Sequence, residues 1–193
     1  MQTNQYVKVF KLPEYILLES KSAAQKQAQK YNNFKSAPYG MNSVKMHEIG
    51  KIGEFGVLYA LNELFNLNIE AKFKDTDSEA DIIIKSTHPN QKDLRIEIKS
   101  YKTVVWNTLH ATISDKQLNS IKQKADIVLY CSVHKKSGTI HLCGFNYTDA
   151  EHEDLLNSEI MIQETKSKMD IKSIVLNERP MNDLYNLIKE YEQ

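Results

Sequence analysis

Arginine is almost missing from this chain: of its 25 basic residues only Arg95 and Arg179 are arginines. A surface that reads guanine bidentately through guanidinium forks has few to offer here, so any base reading falls to Lys, Asn and Gln. Cysteine is as scarce. Cys131 and Cys143 are the only two, too few for a disulfide framework, and reduced thiols in a cytoplasmic protein are expected. The opening Met-Gln-Thr-Asn-Gln lacks the basic-then-apolar pattern of a secretory signal. No apolar run approaches the roughly 20 residues that a membrane-spanning helix needs, so no membrane partner is expected. Net charge is also lacking: the formal sum is zero, which neither announces nor excludes a nucleic-acid partner, because a carboxylate-rich site masks a basic face in the total. What is present is 193 residues, 41% of them apolar, enough for the core of one globular domain.

The stretch from Ala80 to Lys99 carries the chemistry. Ala80-Asp81-Ile82-Ile83-Ile84 and Leu94-Arg95-Ile96-Glu97-Ile98-Lys99 are β-branched runs separated by a polar, Pro- and Asn-containing loop, which predicts a β-hairpin. Side chains two apart on a strand share a face, so Glu97 and Lys99 point one way and Ile96 and Ile98 the other. With the isoleucines in the core, Glu97 and Lys99 are expected to face a cleft or solvent, with Asp81 arriving from the neighbouring strand. Two carboxylates and an amine in one place suit metal-assisted phosphodiester hydrolysis. Mg²⁺ takes one or two carboxylates plus waters and phosphate oxygens, and a fixed lysine beside it serves the nucleophile and offsets phosphate charge. Repulsion between the carboxylates should leave the metal-free site strained. Of the alternating acids before the hairpin, Asp77 and Glu79 are reserves for Asp81.

A helix is predicted from Ser43 to Phe65. Val57, Leu58, Leu61, Leu64 and Phe65 recur at helical spacing, and Glu54 falls on the N-terminal continuation of that stripe. A carboxylate at the edge of a buried face calls for a cation, a donor or a metal-bound water. Gly50, Gly53 and Gly56 each cost a helix roughly 1 kcal/mol, which implies close packing against a sheet. His47 lies one heptad before Glu54 on the same side. Further on, Ser114-Asp-Lys-Gln117 reads as a capping box opening a helix to about Lys124, followed by a buried strand, Asp126 to Val133. Trp106 reads as core or rim packing, and Tyr101 shares the face of Lys99.

The ordered set Glu54, Asp81, Glu97-Ile98-Lys99 and Gln117 resembles the PD-(D/E)XK nuclease superfamily over about residues 43 to 145, with Ala80 where the family often has proline. The resemblance implies an α/β, restriction-endonuclease-like fold, a mixed central β-sheet flanked by helices. It further implies a metal-dependent phosphodiesterase, a DNA endonuclease using Mg²⁺ or Mn²⁺, with Asp81 and Glu97 as ligands, Glu54 reaching the metal directly or through water, and Lys99 serving the nucleophile. In that family a glutamine or lysine on the helix after the Glu-x-Lys strand borders the active site, so Gln117 is both a candidate site residue and a helix cap. Restriction or another defence role ranks first. A junction-resolving or repair nuclease shares the same site, and a nucleic-acid binding protein that keeps the fold without turnover is the contrasting class. The expected partner is duplex or branched DNA.

The remaining chain divides into an N-terminal extension, 1–41, a nuclease core, 42–145, and a C-terminal helical extension packed on the core, 146–193. The first holds a short strand, Tyr6 to Phe10, and a helix from Pro13 to about Asn33 with a lysine stripe at Lys21, Lys26, Lys30 and Lys35 suited to phosphates. The last is expected to hold helices near Asp149–Ser158 and Met181–Tyr191 and a strand at Ile171–Leu176. Its stripe of Leu184, Leu187, Ile188 and Tyr191 suits packing on the core or a homodimer. Cys131, His134, His141 and Cys143 are four zinc-ligand types on one predicted hairpin, but with a turn at Lys135–Gly138 the register turns Cys131 away from the other three.

Overall fold

A computed structural model describes residues 8–31, 43–65, 79–109, 111–149, 151–152, 159–164, 170–176 and 178–192. A short strand β1 (Lys8–Lys11) leads into helix α1 (Glu14–Tyr31), and α2 (Ser43–Phe65) lies against it. The predicted hairpin follows as β2 (Ile82–Ile84) and β3 (Leu94–Lys102), paired antiparallel with Ile82 opposite Ile96. A short helix α3 (Thr103–Leu109) and strand β4 (Ala111–Ser114) come next, then α4 (Asp115–Lys124), β5 (Ile127–His134) and β6 (Thr139–Tyr147). The described chain closes with β7 (Glu159–Glu164), β8 (Asp170–Leu176) and α5 (Met181–Glu192).

Five strands form one mixed sheet in the order β1-β6-β5-β3-β2, in which β3 and β5 run parallel and every other pair antiparallel. The class is mixed α/β, with a mixed sheet flanked by helices. β4, β8 and β7 make a second, antiparallel sheet. β5 is buried from Ile127 to Val133, as a strand covered on both faces must be. One face packs against α2, placing Ile96, Ile98, Ile127, Leu129 and Cys131 in one core with Ile52, Val57 and Leu61. The other face carries Val128 and Tyr130 into a second core with Trp106, Ile113, Leu118 and Ile121.

The glycine expectation holds at two of three positions. A Cβ on Gly53 would lie 1.8 Å from Ser100 Oγ, and one on Gly56 3.1 Å from Ile140 and Leu12, whereas Gly50 has nothing within 4 Å. The helix therefore touches β3 most closely at Gly53, the residue before Glu54.

The C-terminal segment holds the expected last helix and, as β8, the strand expected at Ile171–Leu176, with β7 paired to it as an addition. α5 buries Met181, Leu184 and Ile188 in the main core. Asp149, Glu151 and His152 form a turn in which Asp149 Oδ1 accepts the backbone N–H groups of Glu151 and His152, and the rest of the predicted 149–158 helix lies outside the described residues. Lys21 and Lys26 are exposed on α1; Lys35, Asp75 and Asp77 also lie outside them. On the β5–β6 hairpin, Cys131 packs in the main core and Cys143 in the second. That opposition agrees with the register expected from the sequence, even though a bulge interrupts the ladder at Tyr130/Cys131.

Candidate active site

Asp81 sits at the start of β2, one residue before the ladder begins. Its Oδ2 accepts a 2.8 Å hydrogen bond from the backbone N–H of Ile98, which brings the carboxylate beside the Glu97–Ile98 peptide. Glu97 and Lys99 project from the same face of β3, and Lys99 Nζ donates to Glu97 Oε1 at 2.7 Å. The structure thus fixes Asp81 on the backbone of the Glu97-Ile98-Lys99 run and pairs the side chains of Glu97 and Lys99.

Their surroundings differ from the expectation. Glu97 does not face solvent: its side chain is 3% exposed, against 23% for Lys99. The face expected to be open is covered by the second core, because Trp106, Leu118 and Ile121 pack on the strand residues flanking it. Nor are the carboxylates left to repel each other. Lys124, in the last turn of α4, places Nζ 2.8 Å from Glu97 Oε2, so Glu97 stands between two ammonium groups. Lys124 went unrecognised in the sequence. Its only signal was a lysine in the last turn of a capped helix leading into the strand beside β3.

Gln117 serves the cap. It is exposed, its backbone N–H donates to Ser114 Oγ and its side chain returns to Ser114, completing the capping box. The contact with Glu97 comes from the other end of the same helix.

Glu54 is half-buried and forms an ion pair with Lys51 one turn earlier. It belongs to the α2 side of the sheet, opposite the face that carries Glu97. Burial pushes the Cys131 thiol up to about 12, and the charges of Glu54 and Asp81 add to that rise. Both carboxylates therefore act on the same buried sulfur, and Cys131, protonated at neutral pH, is no nucleophile. His47 is held below the ordinary histidine range by burial and then by the Lys51 charge.

Tyr101 and Trp106 are spent in packing, as expected for Trp106. Trp106 is 6% exposed, the two rings lie 5.6 Å apart, and Tyr101 donates to the Thr112 carbonyl. Asp93, outside the candidate set, is paired with Lys85 across the hairpin loop.

Among the described residues, no three His, Cys, Asp or Glu side chains stand close enough to cage an ion. A two-carboxylate set of hard oxygen donors remains, and that donor chemistry fits Mg²⁺, which is commonly held by one or two carboxylates with waters and substrate phosphates completing the shell. A cleft of about 700 Å³ lies elsewhere, at the starts of β3 and β5 between Arg95, Asp126, Tyr147, His152, Leu187 and Tyr191. Volume and chemistry point to different places. The Asp81/Glu97/Lys99 group carries the reading, because the cleft's charged groups are largely satisfied by one another, Arg95 by Asp126 and His152 by Asp149.

No family model matches this chain, and neither the curated proteins nor the solved structures yield a match. No helix among the described residues is long and apolar enough to cross a membrane.

Proposed function

We propose that the chain is a metal-dependent phosphodiesterase that cleaves DNA, an endonuclease of the PD-(D/E)XK kind. The supporting observation is the joint placement of Asp81 and Glu97-Ile98-Lys99: one carboxylate is fixed on the Ile98 amide and the other hydrogen-bonded to Lys99. Asp81 and Glu97 would hold Mg²⁺ or Mn²⁺. When bound, the ion supplies a lowered pKa for water and charge neutralisation at the phosphate.

The chain's own residues divide the remaining work. Lys99, the more exposed of the two lysines on Glu97, holds its Nζ where it can donate to a phosphate oxygen or orient the attacking water, and Glu97 fixes the direction of that ammonium. The Ile98 N–H holds Asp81 in one orientation, so little reorganisation is needed as negative charge develops. Glu54, paired with Lys51 on α2, would reach the metal directly or through water. A restriction or other defence role is the preferred setting, with a junction-resolving or repair nuclease next.

One observation favours a second reading, a nucleic-acid binding protein without turnover: both Glu97 oxygens already have ammonium neighbours. One assay separates them. Supercoiled plasmid, synthetic junctions and RNA are incubated with the protein in Mg²⁺ or in EDTA. Cleavage of a DNA substrate in Mg²⁺ and its loss in EDTA are expected. Binding without cleavage in Mg²⁺ rejects the enzyme in favour of the binding protein, and preference for junctions over plasmid replaces restriction by resolution.

A further inference from the structure

We infer that Lys124 is the built-in counter-ion of Glu97 in the metal-free protein, a positioning residue whose contact opposes divalent-cation binding until a polyanionic substrate arrives. The inference rests on the metal-dependent reading above.

The two lysines on Glu97 are not equivalent. Lys99 comes from the same strand and is 23% exposed, whereas Lys124 arrives from the last turn of α4 and is 9% exposed. Lys124 is thus too enclosed to serve substrate directly. Its ammonium lies at the negative end of the helix dipole and against a carboxylate that is 3% exposed. Neither charge could stay buried alone at tolerable cost, so each accounts for the other's position. The pairing relieves the strain that bare carboxylates would carry.

The same pairing sets a condition on metal binding. A divalent ion on Glu97 would sit next to the ammonium that now lies 2.8 Å from Oε2, and like charges at such separations repel strongly where water is excluded. Metal and the Lys124 contact are therefore coupled negatively, and the coupling is reciprocal. Substrate phosphates shift the balance, because their oxygens add negative charge beside the ion and complete its shell. Metal loading then depends on DNA, and the free protein is held in a low-affinity state.

The test is a Mn²⁺ titration, by calorimetry or water-proton relaxation, of the EDTA-stripped full chain and of Lys124→Met and Lys124→Arg. Lys124→Met, which keeps the apolar stem and removes the charge, should bind Mn²⁺ at least about tenfold more tightly, within the range usual for coupled sites. Lys124→Arg should bind like the parent, which a merely structural role would not require. Phosphorothioate DNA should tighten Mn²⁺ binding in the parent more than in Lys124→Met. Lys124→Gln replaces Lys124→Met if the latter does not fold. Equal or weaker affinity in the uncharged variant, alongside metal-dependent cleavage by the parent, overturns this inference alone. Absence of Mn²⁺ binding in every variant, with no metal-dependent cleavage, overturns it together with the nuclease reading.

Discussion

The Asp81 carboxylate accepts a 2.8 Å hydrogen bond from the Ile98 backbone N–H, so one side chain both fastens the start of β2 to β3 and stands beside the Glu97–Ile98 peptide. The two roles separate by substitution. Asp81→Asn keeps an acceptor for the amide and removes the charge: stability should stay within about 1 kcal/mol of the parent while cleavage is lost. Asp81→Ala leaves a buried N–H unmet and should cost about 1–3 kcal/mol. Urea midpoints and cleavage rates check both, and a fully active Asp81→Asn would leave the residue a purely structural cap.

Lys99→Ala should abolish cleavage with the fold intact. Glu97 keeps Lys124 as its ion-pair partner, so the buried carboxylate is not stranded. Loss of an oriented donor at the reacting phosphate should lower the rate by about 100-fold or more. A mutant as active as the parent removes Lys99 from the mechanism.

Glu54→Gln distinguishes a site residue from an ordinary member of α2. Its ion pair with Lys51, one turn earlier on the helix, is largely shielded from water, the two side chains being 18% and 12% exposed, so losing the charge should cost more than the about 0.3–0.5 kcal/mol of an exposed helix pair. Cleavage should fall strongly as well. An unchanged rate would reject the participation of α2 in the chemistry.

Gly53→Ala and Gly50→Ala should have opposite signs. A new Cβ at position 53 would press on Ser100 Oγ at 1.8 Å and on Cys131 Sγ at 2.9 Å, an overpacking expected to cost about 1–3 kcal/mol. At position 50 nothing lies within 4 Å, and the helix gains up to about 1 kcal/mol from alanine. Thermal melts of the pair decide this, and equal shifts would contradict the helix–sheet contact.

Stability should fall as pH drops below the ordinary histidine value of 6.5. Burial first, then Lys51 for His47 and His134 for His141, hold both imidazoles below that value in the folded chain. The unfolded chain therefore binds protons first on acidification, and the slope of stability against pH is positive in that window. Urea midpoints at pH 7.5 and pH 5.5 check the direction, and His47→Gln with His141→Gln should flatten the slope. An equal slope in that double variant assigns it to other groups.

Local pattern by itself determined several elements. The spacing of Val57, Leu58 and Leu61 predicts the helix found at Ser43–Phe65. The alternation of Ile96, Glu97, Ile98 and Lys99 places the charged pair on one face of β3, and the Ser114-x-x-Gln117 box marks the start of α4. These are short-range properties of backbone period and capping, carried by residues a few positions apart.

The tertiary structure alone decided what lies over each face. Alternation shows that Glu97 and Lys99 point together, but not that α4 and Trp106 cover that side and bury Glu97 to 3% exposure. Which end of α4 meets Glu97 is set the same way: Gln117 and Lys124 stand on the same helix, and only its docking across the sheet sets Lys124, not Gln117, against Glu97. β4 escaped for the same reason, since it is stabilised by pairing with β8 across a long sequence separation. Period and propensity are local, whereas burial and charge pairing depend on which distant segment arrives on which face.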